Sequence, residues 1–241
     1  MRYAIVSDIH GNLEALQAVL TDCQKEGLKK FFCLGDIVGY GADPVACLNE
    51  IKQLDVQCVA GNHDWAVAER IEPTHFNPLA KEAVLWTREI LNLKDKAYLK
   101  GLELCERGEN FVLVHATWHD PEQFIYLNDI AESRKTFAVM EQSICFVGHT
   151  HVPIIFIEQN HQVRISDQDW CSFEQGKKYI VNVGSVGQPR DRNPKAAYGI
   201  YDTENASLEL RRIPYDIAKA QDKILNAGLP MSLAYRLALG Y

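Results

Sequence analysis

The chain alternates short apolar runs with longer segments in which apolar residues recur every three or four positions. Residues 3–7 read as a strand. From Gly11-Asn12 to about Gly27, the positions Leu13, Leu16, Leu20 and Cys23 keep the 3.6-residue period of a helix. The run Lys30-Phe31-Phe32-Cys33-Leu34 reads as a second strand and residues 56–59 as a third. Between them Asp43-Pro44 opens a helix, with Asp43 as N-cap and proline at the first helical position. Strand alternating with helix predicts a parallel sheet with right-handed crossovers.

The stretch 65–101 breaks that alternation. It holds Trp65-Ala66-Val67-Ala68 and a helix over 79–91 with Leu79, Ala83, Trp86 and Ile90 on one face. It reads as a helical insertion overhanging the site, leading back to strands at 102–105 and 110–114. Residues 116–127 read as a loop and 129–141 as a helix. From 144 onward the texture changes to short strands at 144–147, 153–157, 162–165, 179–183, 198–202 and 207–212. Their spacing predicts a second, mainly antiparallel sheet. Pro214 ends it, and helices near 215–226 and 231–238 close the chain. No repeat, low-complexity tract or linker marks a boundary, so a single domain over 1–241 is expected.

Composition narrows the classes. Hydrophobic content of 47% and charged content of 24% suit a soluble globular protein. A net charge of −7 and a pI near 5.6 argue against a protein that coats nucleic acid. No segment approaches the ~18 apolar residues of a membrane span. Met1 to Val6 enters a strand at once, which leaves no room for a signal peptide; a cytoplasmic protein is expected. Seven cysteines, an odd number without paired spacing, sit mostly in apolar runs (Cys33, Cys58, Cys145) and read as reduced core residues.

The predicted strands end in groups that bind metals: Ser7-Asp8-Ile9-His10, Gly35-Asp36, Gly61-Asn62-His63-Asp64, His115, and Gly148-His149-Thr150-His151. In open α/β sheets ligands bind beyond the carboxyl ends of the strands. Asp8 and His10 are two apart on an extended segment, so both can face one side, and the same holds for His149 and His151. Carboxylate and imidazole donors without thiolate suit Mn²⁺, Fe, Zn²⁺ or Mg²⁺. With Asp36 bridging, one cation takes Asp8, His10, Asp36 and His151, and the other takes Asp36, Asn62, His115 and His149. Two divalent cations outweigh two carboxylates even with a bridging hydroxide, so the centre favours an anionic phosphate. Such a pair clamps the attacking and leaving oxygens of an in-line displacement. His63 is then free to protonate the leaving oxygen as general acid, and Asp64 to orient its ring and keep it protonated.

Taken singly, each piece has a plain reading: a chance Asp-x-His, a turn at Gly-Asp, or a helix cap at Asn-His-Asp. His75, His119 and His161 have no partner pattern and read as solvated. The joint occurrence, in order and each after an apolar strand, is what points to a site.

These five motifs resemble the calcineurin-like metallophosphoesterase superfamily. Two longer stretches, Gly35-Asp36-Ile37-Val38-Gly39-Tyr40-Gly41 and Asn182-Val183-Gly184-Ser185-Val186-Gly187-Gln188-Pro189-Arg190, look like its small bacterial phosphodiesterase-type branch. The resemblance implies an α/β fold, a four-layer αββα sandwich of two mixed sheets flanked by helices, with a dinuclear metal site at the strand ends. It also implies two divalent ions (Mn, Fe, Zn or Ni, with Mn²⁺ common in assays) and phosphoester hydrolysis. Gly39-Tyr40 stand where protein Ser/Thr phosphatases and symmetrical dinucleoside tetraphosphatases carry Asp-Arg, which argues against a protein phosphatase. Ala116 follows His115 where the family usually has glycine.

The activity so implied is hydrolysis of phosphodiester or phosphomonoester bonds in a small phosphate-ester or nucleotide substrate. A metal-bridging hydroxide attacks and His63 is the general acid. The alternatives are an asymmetrical dinucleoside tetraphosphate hydrolase and a non-catalytic metal-binding scaffold. Arg190, Tyr40 and Asn62 are the expected substrate contacts. The Arg190 guanidinium suits a bidentate phosphate contact, against a surface salt bridge as the plain reading. Tyr40, Phe76 or Trp118 would stack on a base or pack the inserted helices onto the sheet, with Asn77 on the same loops.

Overall fold

In the computed structural model, which describes residues 1–241, the first part of the chain follows the predicted alternation. It runs β1 (Arg2–Val6), α1 (Leu13–Lys25), β2 (Lys30–Cys33), α2 (Pro44–Lys52) and β3 (Asp55–Cys58). Asn12 caps α1 by accepting from the Ala15 N–H at 3.1 Å. Asp43 precedes Pro44 as expected but caps nothing; its carboxylate instead pairs with Lys223 at 2.7 Å.

The stretch that breaks the pattern holds three helices: α3 (Asn62–Val67), α4 (Pro78–Ile90) and α5 (Leu93–Lys100). α4 is rotated from the predicted face. It buries Ala80, Ala83, Val84 and Thr87 and leaves Ile90 exposed. Close approach to neighbouring helices selects the small residues over the larger apolar ones. α5 escapes a periodicity reading because its lysines dilute the apolar positions. It is held instead by the Asn92 cap and by an ion pair from Lys52 to Asp95 at 2.6 Å.

There follow β4 (Cys105–Arg107), β5 (Phe111–Val114), α6 (Ile130–Val139), β6 (Ile144–Val147), β7 (Ile154–Gln159) and β8 (Gln162–Ser166). The chain then forms β9 (Trp170–Ser172), β10 (Lys178–Asn182), β11 (Ala196–Asp202), β12 (Ser207–Ile213), α7 (Ile217–Asn226) and α8 (Met231–Leu239). β9 is a three-residue edge strand with no apolar alternation to announce it. No helix is long and apolar enough to cross a membrane.

The late strands do not form a sheet of their own. One sheet has the order β3-β2-β1-β11-β12-β9 and the other β4-β5-β6-β10-β7-β8. β11 pairs antiparallel with β1, and β10 pairs parallel with β6. Strand spacing along the chain carries no information on such long-range partners, so the expected second sheet of late strands alone is corrected, while the two mixed sheets are those that the resemblance implies.

Both faces of the central strands are apolar, and each face belongs to a different layer. In β1, Ala4 and Val6 pack under the helices while Ile5 faces the other sheet. In β2, Phe31 and Cys33 face the helices, Phe32 the opposite sheet. In β6, Ile144 and Phe146 face the first sheet, while Cys145 and Val147 pack towards Phe137 of α6. The period-two alternation of strand side chains therefore builds three apolar interfaces between four layers, an αββα sandwich. A further cluster joins α7 and α8 to Tyr40, Ala80 and Ala83. All seven cysteines are free thiols, four of them buried.

Phe146 is fully buried between the sheets, with rings of Phe111, Phe173 and Tyr201 around it. Phe146→Ala should lower stability by about 3–5 kcal/mol, read as a lower midpoint in urea unfolding. A midpoint like that of the parent would mean that the sheet-to-sheet interface contributes little.

Candidate metal centre

The carboxyl ends of β1, β2, β3, β5 and β6 meet at one edge of the sandwich, and the chain leaves each strand in a tight turn. Asp8 (φ 52°), His10 (φ 49°), Asp36 (φ 53°), Tyr40 (φ 57°), His149 (φ 66°) and His151 (φ 62°) all take the left-handed conformation. The expected extended geometry for Asp8/His10 and His149/His151 is thus corrected: β1 ends at Val6 and β6 at Val147, and each pair sits on the turn beyond. Left-handed backbone at non-glycine residues costs of order 1–3 kcal/mol each and persists only where the surroundings impose it. Here main-chain bonds impose it, among them Asp8 N–H to Gly35 O at 3.0 Å and His10 N–H to Asp36 O at 2.9 Å.

Asp8, His10, Asp36, Asn62, His63, Asp64, His115, His149 and His151 are all buried. They fall into overlapping groups, Asp8–His10–His151, His10–Asp36–His63 and Asp36–His115–His149, each compact enough to hold an ion. The Asp36 Oδ2 lies 3.3 Å from His115 Nε2 and 3.6 Å from His10 Nε2, between the two halves. Asp8 Oδ2 accepts from Ser7 Oγ at 2.7 Å and from the His149 N–H at 2.9 Å, while Asp8 Oδ1 has no partner. Asn62 Oδ1 is likewise buried and unpartnered. A side chain at Gly61 would collide with the Asp36 carboxylate, so only glycine allows that approach.

The imidazole tautomers can be read from their outer partners. His10 Nδ1 faces Val38 O at 3.1 Å, His115 Nδ1 faces Leu34 O at 2.7 Å and His151 Nδ1 faces Gln188 O at 2.6 Å. A carbonyl only accepts, so each Nδ1 carries a hydrogen and each Nε2 is turned inward, where the neutral rings of His10 and His151 present a lone pair. His10 Nε2 and His151 Nε2 are nevertheless 3.1 Å apart. Two lone pairs at that distance repel, and a cation seated against both removes the conflict. The donor set of carboxylate oxygen, amide oxygen and imidazole nitrogen fits a borderline divalent ion.

The titration behaviour follows from burial among these neighbours. Burial pushes His10 and His151 down, His149 to about 3 and His63 to about 4, so these rings are neutral bases. His115 is the exception: burial opposes its protonation, but Asp36 beside it raises it to about 10. A metal taking His115 must displace that proton. Burial alone would raise Asp8 and Asp36, yet His151 and His115 respectively hold them well below the usual carboxylate range.

Asp64 does not meet the expectation placed on it. Its carboxylate accepts from the N–H groups of Asp36 (2.7 Å), Ile37 (2.9 Å), Val38 (3.3 Å) and Gly61 (3.1 Å), and it makes no bond to the His63 ring. His63 Nδ1 has no partner at all, and its ring is not kept protonated. Asp64 is a positioning residue for the turn that carries Asp36. Burial and the nearby Asp36 raise its own carboxyl to about 7, against the pull of the amides.

His63 and Tyr40 stand side by side, rings 4.5 Å apart, and Phe76 covers His63 at 4.9 Å. Tyr40 is buried between His10, His63 and the C-terminal helices, a wall and not a free stacking surface. Arg190 makes no salt bridge; its Nη2 donates to Gln188 Oε1 at 3.0 Å and reaches Tyr40 Oη at 3.4 Å. Trp118 packs beneath the second sheet with Arg107 over its ring, so it does not overhang the site. His119 is not solvated but bonds Thr136 at 3.0 Å and Glu132 at 2.9 Å. His161 is exposed, and His75 is exposed at the rim of the cleft. Asn77 caps α4.

A cleft of about 370 Å³ opens beside the centre, lined by Asn62, His63, Phe76, Phe124, Tyr126 and His149 among others. Phe124 and Tyr126 were not anticipated. The loop 116–127 offered three aromatics, and its sequence does not say which turns inward. Phe124 does so through a left-handed backbone (φ 48°), and Tyr126 stacks on His149 at 4.1 Å. Arg236 of α8 was also missed. Its guanidinium lies 6.0 Å from the Tyr40 ring.

The model of the calcineurin-like phosphoesterase superfamily domain matches residues 1–206. The uncharacterized protein MJ0912 of Methanocaldococcus jannaschii is 39% identical over 242 residues, covering 98% of this chain and 97% of that one. Phosphodiesterase YfcE of Escherichia coli is 25% identical over 219 residues, covering 86% and 91%. The crystal structure of a metallophosphoesterase from Sphaerobacter thermophilus superposes with a TM-score of 0.87 at 36% identity, over 100% of this chain and 99% of that one. The two mixed sheets, the buried Asp and His cluster at their edge and the family match over most of the chain agree, and the chain belongs to the calcineurin-like phosphoesterase superfamily.

Proposed function

We propose that the protein is a two-metal phosphoesterase that hydrolyses phosphodiester bonds, or phosphomonoester bonds, in small phosphate-ester or nucleotide substrates. The observation that carries this reading is the facing pair of imidazole lone pairs, with the unpartnered oxygens of Asp8 and Asn62 in the same buried cluster. The phosphodiesterase name of the Escherichia coli relative supports the diester preference. Asp8, His10, Asp36 and His151 would hold one ion, and Asp36, Asn62, His115 and His149 the other. Two divalent cations there, of Mn, Fe, Zn or Ni, would neutralise phosphoryl oxygens and make hydroxide available near neutral pH.

The chain's own residues do the rest. The turn held by Asp64 keeps the Asp36 carboxylate aimed inward. His63, neutral in the free protein, gains basicity when an anionic phosphate enters beside it, takes up a proton from solvent and donates it to the leaving oxygen. Arg190 and Asn62 bind substrate, and Tyr40 sets the spacing between Arg190 and His63. We take residues 1–241 to act as one domain, with 65–101 overhanging the cleft through Phe76. Seven unpaired thiols suit a reducing compartment such as the cytoplasm. A binding scaffold is disfavoured because every candidate ligand and His63 are in place.

Mn²⁺-loaded protein should hydrolyse bis(p-nitrophenyl) phosphate and stop at the monoester, with turnover lost on chelation; metal-loaded protein without turnover would sink the enzyme reading. His63→Ala should retain its metal content by elemental analysis. Its kcat should fall on the order of 10²–10⁴-fold, most on poor leaving groups. Unchanged turnover removes His63 from the chemistry. Asp64→Asn should bind metal roughly 10- to 100-fold more weakly with its circular dichroism preserved. Parent-like metal affinity with reduced kcat would return Asp64 to the His63 ring.

A further inference from the structure

At the end of the strands away from the candidate metal centre, the two sheets do not close on one another. A cavity of about 580 Å³ opens there, between the starts of β1, β2 and β3 and the turn that joins β4 to β5. That size is ordinary for a small-molecule site. None of the candidate metal ligands lines it.

The alternation of strand side chains says what should fill it. Phe32 and Leu34 of β2, and Val59 just after β3, are buried between the sheets, which puts Lys30, Asp55 and Gln57 on the same inward face. All three are exposed, and all three line the cavity. Apolar residues at those positions would continue the interface; a lysine, an aspartate and a glutamine hold it open. Lys30 and Asp55 are register partners on neighbouring strands, yet neither makes an ion pair or a side-chain hydrogen bond. Glu109, on the facing wall, is unpaired as well. The other charges at the mouth are taken: the Met1 amine meets Glu204 at 2.9 Å, and Arg107 meets Glu141 at 3.6 Å.

The floor is aromatic. Tyr3 stacks on Phe32 at 4.5 Å with 11° between the ring planes. Phe32 meets Phe111 at 4.9 Å, and Tyr201 lies 6.0 Å from Phe111. Phe32 and Tyr201 are buried, whereas Tyr3 and Phe111 are half-buried and turn ring surface to the cavity. A side chain at Gly108 would collide with the Phe111 ring, so the β4–β5 turn needs glycine to pass that close.

We propose that this cavity is a second small-molecule site and that its ligand is a free aromatic amino acid. The ligand's ring lies against Tyr3 and Phe111, its carboxylate meets Lys30, and its ammonium meets Asp55. Exposed aromatic faces take a flat ring. Unpaired charges of opposite sign on neighbouring strands match a zwitterion, because each ligand charge gains a charge-assisted hydrogen bond. An anion would face Asp55 and Glu109, a cation would face Lys30, and an uncharged ring would leave both kinds unused. The site stands apart from the phosphoesterase reading. Tyr3, Lys30 and Asp55 begin the strands after which Asp8, Asp36 and Asn62 follow, so the two sites lie at opposite ends of the same sheet.

The test is calorimetric titration of the full chain with L-tryptophan, tryptamine, indole-3-propionate and adenosine, with excess inorganic phosphate present to compete at the metal centre. L-Tryptophan should bind. Tryptamine, which lacks the carboxylate, and indole-3-propionate, which lacks the ammonium, should each bind roughly 10- to 100-fold more weakly. Lys30→Gln should bring tryptophan down to the affinity of tryptamine, and Asp55→Asn should bring it down to that of indole-3-propionate. Both side chains are exposed, so each variant should keep the circular dichroism of the parent. No binding of tryptophan at millimolar concentration, equal affinity for the three indoles, or tighter binding of adenosine would overturn the site. So would folded variants that leave the affinity ratios of the parent in place.

Discussion

The Asp64 carboxylate receives four main-chain N–H groups, from Gly61 on its own turn and from Asp36, Ile37 and Val38 on the neighbouring one. That single group ties the turn after β2 to the turn after β3. It satisfies donors that would otherwise be buried without acceptors. It also allows Asp36 to stay left-handed, with its own Oδ1 taking the His63 N–H at 2.8 Å. Remove that anchor and neither the placement of Asp36 between the two histidine groups nor the position of His63 has a cause.

The same logic runs through the other turns. Each candidate ligand is held by an outer bond that leaves one atom pointing inward: a carbonyl on Nδ1 for His10, His115 and His151, and Ser7 with the His149 amide on Asp8. The cost is strained backbone and a cluster of buried groups whose charges and lone pairs conflict. The sandwich beneath meets that cost with three apolar interfaces and contributes rigidity, so that the turns cannot relax.

The C-terminal hairpin of α7 and α8 adds a wall the sandwich lacks. Its buried residues clamp Tyr40 from the side away from the candidate metal centre, which converts a loop tyrosine into a fixed spacer. A tyrosine free to rotate would not hold two guanidiniums and two imidazoles at set distances. The cleft on the other flank, with Phe76, Phe124 and Tyr126, is lined by loops, and those loops are the part of the site most open to variation.

What the sequence determined by itself was local. Apolar strands ending in Asp-x-His, Gly-Asp, Asn-His-Asp and His-x-His specify both the elements and the donor set, because strand burial and ligand chemistry are written in adjacent residues. The left-handed turns, the true partner of Asp64, the buried place of Trp118, the hydrogen-bonded place of His119, and the inward turn of Phe124 and Tyr126 were decided by the tertiary structure. So were the pairing of β11 with β1 and the meeting of Arg236 with Tyr40. Each of these depends on what a residue encounters across a long separation in sequence, and periodicity describes only how a segment faces its surroundings, not which surroundings it meets.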